Sequence, residues 1–152
     1  MASHEGKRKT SAVLAASIIL ASILFCPLAI AAPPMPNDVQ MVEPDPSLPK
    51  EIAGFWGKWE GGDHYMRHFV IIEKIDREKA SIYRWKSGYA FIPEGWDRLE
   101  AKVIKEYGKY KLWFLYSGGG TGGTFEYTLN GKYMDCYYST VVSGTYLLIR
   151  VP

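Results

Sequence analysis

After Gly54 the chain meets a turn signal about every ten residues, and the runs between are rich in Val, Ile, Tyr, Phe, Trp and Thr. The punctuation is explicit: Gly61-Gly62-Asp63, Asp76-Arg77-Glu78, Tyr107-Gly108, the run from Gly118 to Gly123, Asn130-Gly131 and Ser143-Gly144. Helix signals are missing. The spacing predicts strands over residues 54–60, 65–75, 79–86, 98–106, 110–117, 124–129, 132–139 and 145–151.

Asn130-Gly131 is the strongest local signal, because a two-residue type I′ hairpin needs positive φ at both central positions. Short turns force successive strands to run antiparallel, up and down. Left open, such a sheet exposes two unpaired edges, and closure removes them. The expected fold is therefore all-β, an eight-stranded antiparallel up-and-down barrel over residues 51–152. The glycine-rich run from Gly118 to Gly123 is not expected to cradle phosphate, since a hairpin follows it where such a loop needs a helix N-terminus.

The first third reads differently. Lys7-Arg8-Lys9 precedes an uncharged stretch from Ala12 to Ala32, the charged start and apolar run of a secretory signal. Ala29-Ile30-Ala31 offers small residues to a signal peptidase, which places the signal at residues 1–31 and the mature protein in the periplasm or outside the cell. An uncleaved membrane anchor is the alternative, since about 20 apolar residues span a bilayer; Pro27 and the small-residue site favour cleavage. Residues 32–50 hold Pro33, Pro34, Pro36, Pro44, Pro46 and Pro49 and read as an extended linker that does not pack.

Cleavage changes two balances. It takes Cys26 and leaves Cys136 alone, so no internal disulfide forms and the domain rests on its core and hydrogen-bond ladder. Without Lys7, Arg8, Lys9 and Glu5, the 18 basic and 16 acidic residues become 15 of each. A neutral domain has no net field to recruit nucleic acid or anionic lipid, so neither partner is expected.

With 11 tyrosines and 5 tryptophans, the chain has more aromatic surface than packing alone requires. Period-two alternation puts Phe55, Gly57 and Trp59 on one face, expected to point inward. It groups Tyr110, Leu112, Phe114 and Tyr116 likewise, then Phe125, Tyr127 and Leu129, then Tyr133, Asp135 and Tyr137, with Tyr83 and Trp85 on the third strand. A small barrel either fills its interior or holds one small ligand. Tyr83, Trp85, Tyr116 and Tyr137 are the expected ligand-binding residues inside, and Trp96, in the connection 87–97, is the expected contact from a lid.

The Gly57-Lys58-Trp59 triplet on the first strand, Arg150 on the last and eight meandering strands between resemble the calycin group, which includes lipocalins and avidin-like proteins. The resemblance implies that Gly57, Trp59 and Arg150 close one end of the barrel, with Trp59 and Arg150 packing as a cation–π pair. It carries over no binding residues, and the C-terminal helix and disulfides common among lipocalins have no counterpart here.

Catalytic patterns are missing from the sequence. His64 and His68 fall at a turn and a strand start with no third ligand nearby, so no metal site is expected. Ser81, Ser117 and Ser139 lack a nucleophile elbow, and Asp135 and Glu73 are the carboxylates expected to face inward. No cofactor is implied. The expectation is a non-enzymatic exported barrel that binds a small amphipathic or aromatic molecule. The alternative is an envelope interaction module, such as a hydrolase inhibitor or an accessory domain for an enzyme or polysaccharide, acting through its aromatic loop.

Overall fold

A computed structural model of the chain describes residues 33–62, 67–86, 94–116, 122–140 and 143–152. The expected signal at 1–31 lies outside these residues. Eight antiparallel strands follow in chain order: β1 (Gly57–Gly62), β2 (Arg67–Ile75), β3 (Lys79–Lys86), β4 (Gly95–Glu106), β5 (Lys109–Tyr116), β6 (Gly123–Asn130), β7 (Tyr133–Ser139) and β8 (Ser143–Val151). Each strand pairs with its neighbours in sequence, and β8 returns to β1, from Lys58 opposite Val151 to Gly62 opposite Leu147. The closed up-and-down barrel is thus formed, and the sheet has no edge left to template aggregation.

One helical turn, α1 (Lys50–Ala53), precedes β1. Pro49 supplies its fixed φ at the N-cap, and Ile52 is buried beneath the barrel end. The sequence had suggested that the first strand starts at Gly54, but Phe55 and Trp56 turn back on α1, their amides donating to the carbonyls of Ile52 and Ala53. Among the described residues no helix is long and apolar enough to cross a membrane.

Two hairpins depart from expectation in an instructive way. The loop between β6 and β7 is Gly131-Lys132, because Asn130 pairs with Tyr133; only Gly131 has positive φ, +63°, as a type II′ turn requires at its first central position. Among the described residues, the turn with positive φ at both positions is Tyr107-Gly108, at +49° and +78°, between β4 and β5.

The ladder settles which side chains enter the barrel. Gly57, Trp59 and Gly61 stand opposite Ile72, Val70 and His68, and Ile72 and Val70 pair in turn with Ile82 and Arg84. A β-bulge at Glu73 then resets the alternation: Ile72 faces Ile82, yet Lys74 faces Ser81. Without that extra residue Ile75 would turn to solvent and Lys74 into the core; with it, Ile75 is buried and Lys74 exposed. Leu112, Phe114, Tyr127, Met134, Cys136 and Leu148 complete the buried interior on the far wall.

The proline-rich segment is not a free linker. Residues from Pro34 onward belong to the same compact unit as the barrel, and they form a strap across the outside of β2, β3 and β4. The indole N–H of Trp96 donates to the Pro34 carbonyl at 2.8 Å and the Tyr83 hydroxyl to Asp38 at 2.6 Å. Backbone amides of Gln40 and Val42 donate to the Glu73 carboxylate and carbonyl. Arg77 donates to the Ser47 carbonyl, and Leu48 is buried. An extended proline-rich chain keeps its carbonyls available and loses little entropy when fixed, which suits it to covering an apolar outer face.

Candidate functional site

The two ends of the barrel differ. One is sealed by three tight turns, Asp76 to Lys79, Tyr107-Gly108 and Gly131-Lys132, together with α1. There the Arg150 guanidinium lies 4.3 Å from the Trp59 ring centroid and donates to the carbonyls of Trp56 and Gly54, while the Trp59 indole N–H donates to the Phe55 carbonyl. A Cβ on Gly57, whose φ is +124°, would lie 2.5 Å from the Arg150 guanidinium. The three residues expected to close the barrel therefore meet as one packed unit. A depression of about 510 Å³ opens beside them near Lys50 and Lys109, but the Arg150 head there is already engaged.

At the opposite end lie the connections β1–β2, β3–β4, β5–β6 and β7–β8. Residues 63–66, 87–93, 117–121 and 141–142 of these lie outside the described residues, as do His64 and most of the expected lid. Much of the inner wall beneath that end is described. Tyr116 and Phe125 meet edge to face at 6.0 Å, Phe125 stacks on Phe114 at 5.3 Å and on Tyr138 at 6.0 Å, and Tyr138 lies 6.1 Å from Tyr146. His68 stacks on Tyr146 at 4.1 Å, with the two planes only 4° apart. These rings form a continuous aromatic belt from β5 across β6, β7 and β8 to β2.

Arg84 projects into this belt from β3. Its side chain is 3% exposed, and its guanidinium lies 4.2 Å from the ring centroids of both Tyr116 and Phe125 and 5.9 Å from that of Phe114. Below it, burial drives the ionisation of the Tyr127 and Tyr146 hydroxyls far above the ordinary tyrosine range, so both keep their protons. Burial likewise pushes the Cys136 thiol up to about 12. That thiol stays protonated and lacks the electropositive, accessible setting of a reactive cysteine.

The five expected binding residues separate. Tyr116 lines the barrel interior. Tyr83, Trp85 and Trp96 do not: Ala80, Ile82 and Arg84 occupy the inward positions of β3, so their neighbours face out. Tyr83 is nonetheless buried, and Trp85 meets Trp96 edge to face at 5.5 Å. Tyr137 is also outside, 42% exposed, with Cys136 and Tyr138 on the inner face of β7.

Neither expected inward carboxylate enters the barrel. Asp135 stands opposite Thr128 and Leu147 on the outer face. Glu73 is buried under the strap, and there desolvation opposes its ionisation, but hydrogen bonds from Ser81, Arg98 and the Gln40 amide outweigh it and hold the carboxyl below the usual glutamate range. Asp38 beside it is held low by the Tyr83 hydroxyl.

Arg84 went unnoticed in the sequence because a basic residue between two aromatics reads as the solvent-facing member of an alternating strand. The available signal was register: the β2 run Val70-Ile71-Ile72 must bury Val70 and Ile72 together, and whatever pairs with Val70 goes inside with it. The sequence matches no protein-family model, and no curated protein and no solved structure matches it.

Proposed function

We propose that this is an exported, non-enzymatic barrel that takes up a small, largely aromatic or amphipathic molecule at the end opposite α1. The observation that carries the reading is the belt formed by Tyr116, Phe125, Tyr138, Tyr146 and His68, which concentrates ring surface at the end the tight turns do not seal. Pockets for small ligands combine such walls with a few convergent polar groups, and Arg84, Tyr127 and Tyr146 are of that kind. Export is read from the charged and apolar start of the chain.

Two measurements test this. Native mass spectrometry of the protein purified from its own host should show a retained small molecule, and the stripped protein should bind the neutral dye N-phenyl-1-naphthylamine saturably, one per chain. A bare mass together with no saturable uptake would overturn the proposal.

The second reading, an envelope interaction module, is favoured by a different observation. Tyr133, Tyr137, Leu147 and Ile149 lie exposed on the outside of β7 and β8, with Tyr133 directly opposite Ile149. Its expected aromatic loop lends less, because the polar edge of Trp96 is already bonded to Pro34. If Tyr137→Ser and Leu147→Ser abolish capture of a partner from the host envelope and leave dye binding intact, this second reading holds.

A further inference from the structure

We infer that the α1 end of the barrel holds a separate surface site for a small organic acid with a flat, ring-shaped body. It is independent of the uptake proposed at the opposite end. The depression of about 510 Å³ noted above lies between α1 and the tips of the β4–β5 and β6–β7 hairpins, which face it with Gly108 and Gly131. That volume is within the range of small-molecule sites, about 300–1,000 Å³. Lys50, Lys109 and Arg150 line it against one carboxylate, Glu51. A domain whose charges otherwise balance thus gathers an excess of positive charge around one cleft, and such focusing favours an anion.

Arg150 differs from a mobile surface cation. One face of its guanidinium lies on the Trp59 ring and its edge bonds the carbonyls of Trp56 and Gly54, so the charge is fixed in place before any ligand arrives. Partial burial lowers its proton affinity from the ordinary arginine value, and an arriving anion relieves a cost already present. Between the cations the lining is apolar: Tyr110 and Leu129 pack partly buried against the core. A flat body lying over them and over the guanidinium removes that surface from water and stacks on the charge.

The wall itself supplies an independent observation. The turn that contributes Gly108 and Lys109 carries Tyr107 at its tip, 95% exposed and in left-handed backbone at φ +49°. Strain of this kind gathers at surfaces that bind, and a ring at the lip of the cleft offers stacking surface to its occupant.

The test is calorimetric titration of the full chain with 2-naphthoate and with its neutral counterpart 2-naphthalenemethanol. The acid should bind saturably and at least about 10-fold more tightly than the alcohol, and added salt should weaken the acid alone. Reversing the two exposed cations together, Lys50→Glu with Lys109→Glu, should weaken the acid by about 10-fold or more and the alcohol by less than about 2-fold. Tyr107→Asn relaxes its turn yet should weaken both by about 3-fold. No saturable uptake of the acid, equal affinity for acid and alcohol, or indifference to the charge reversal would overturn the site. Competition by inorganic phosphate as effective as that by the acid would overturn the ring-shaped body, and unchanged binding in Tyr107→Asn would overturn the part given to that ring. Uptake of N-phenyl-1-naphthylamine should be the same in the charge-reversed variant, and its failure in every form would remove the reading at the opposite end alone.

Discussion

Arg150 and Trp59, opposite each other where the last strand returns to the first, stack at 4.3 Å and tie the barrel seam to the segment that enters it. The guanidinium caps the indole with one face and bonds the carbonyls of Trp56 and Gly54 with its edge. Three parts of the chain, 54–56, β1 and β8, thereby become one unit. Arg150→Met should lower stability by about 2–3 kcal/mol, read as a lower urea midpoint at unchanged slope. Arg150→Lys should recover little, since a single ammonium cannot bridge both carbonyls while stacking. Gly57→Ala crowds the same guanidinium and forces a side chain into positive φ, at a cost of about 1–3 kcal/mol. Because both act on one contact, the double variant should lose less than the two losses added.

The strap makes stability depend on pH through Glu73. Its carboxyl is held below the value near 4.5 of an ordinary glutamate. The contribution is complete above the unfolded value and is lost as pH falls through the lower folded value, where the proton must be taken up. Urea midpoints from pH 7 down to pH 3 should fall more steeply for the unaltered protein than for Glu73→Gln. At neutral pH the same variant should expose residues 34–48 to thermolysin sooner, while the barrel core stays resistant. An unaltered cleavage pattern would mean that the strap does not depend on this carboxylate.

Tyr107 adopts φ +49° with its side chain 95% exposed, so it bears left-handed strain without any packing in return. Tyr107→Asn should stabilise the protein by about 0.5–1 kcal/mol, because asparagine enters that region more easily and Asn-Gly is the preferred pair for a type I′ turn. A raised melting temperature would show it. A drop would mean that the ring makes a contact of value.

Cys136 should be silent in the folded protein. Burial raises its thiol to about 12, so a disulfide reagent at pH 8 should modify it only as fast as the barrel opens. The rate should rise sharply across the urea transition.

Much of this architecture could be read directly from residues. Turn spacing predicted eight strands and their order, and the first and last strands held the pair that closes the barrel. The inner face of β7 was equally legible, although alternation alone misassigned it: a two-residue loop joins residues of opposite parity, so Phe125, Tyr127 and Leu129 inside require Met134, Cys136 and Tyr138 inside. Tyr137 is outside for that reason.

The strap and the bulge were not legible in this way. Tyr83, Trp85 and Trp96 look like interior residues because an aromatic outer face is unfavourable without a cover, and nothing local marks residues 34–48 as that cover. Its hydrogen bonds join positions as far apart as Pro34 and Trp96. Glu73 similarly resembles any strand carboxylate until Gln40, Ser81 and Arg98 converge on it from three separate parts of the chain.

The sequence by itself determined the strand number, the antiparallel order and the sealed end, because turn chemistry and period-two alternation act over a few residues. Tertiary structure alone decided that Arg84 lies inside among rings and that the proline-rich segment lies outside against the wall. Both depend on the register of strands brought together by closure and on contacts between residues remote in sequence, where burial and charge are set by neighbours the local pattern does not contain.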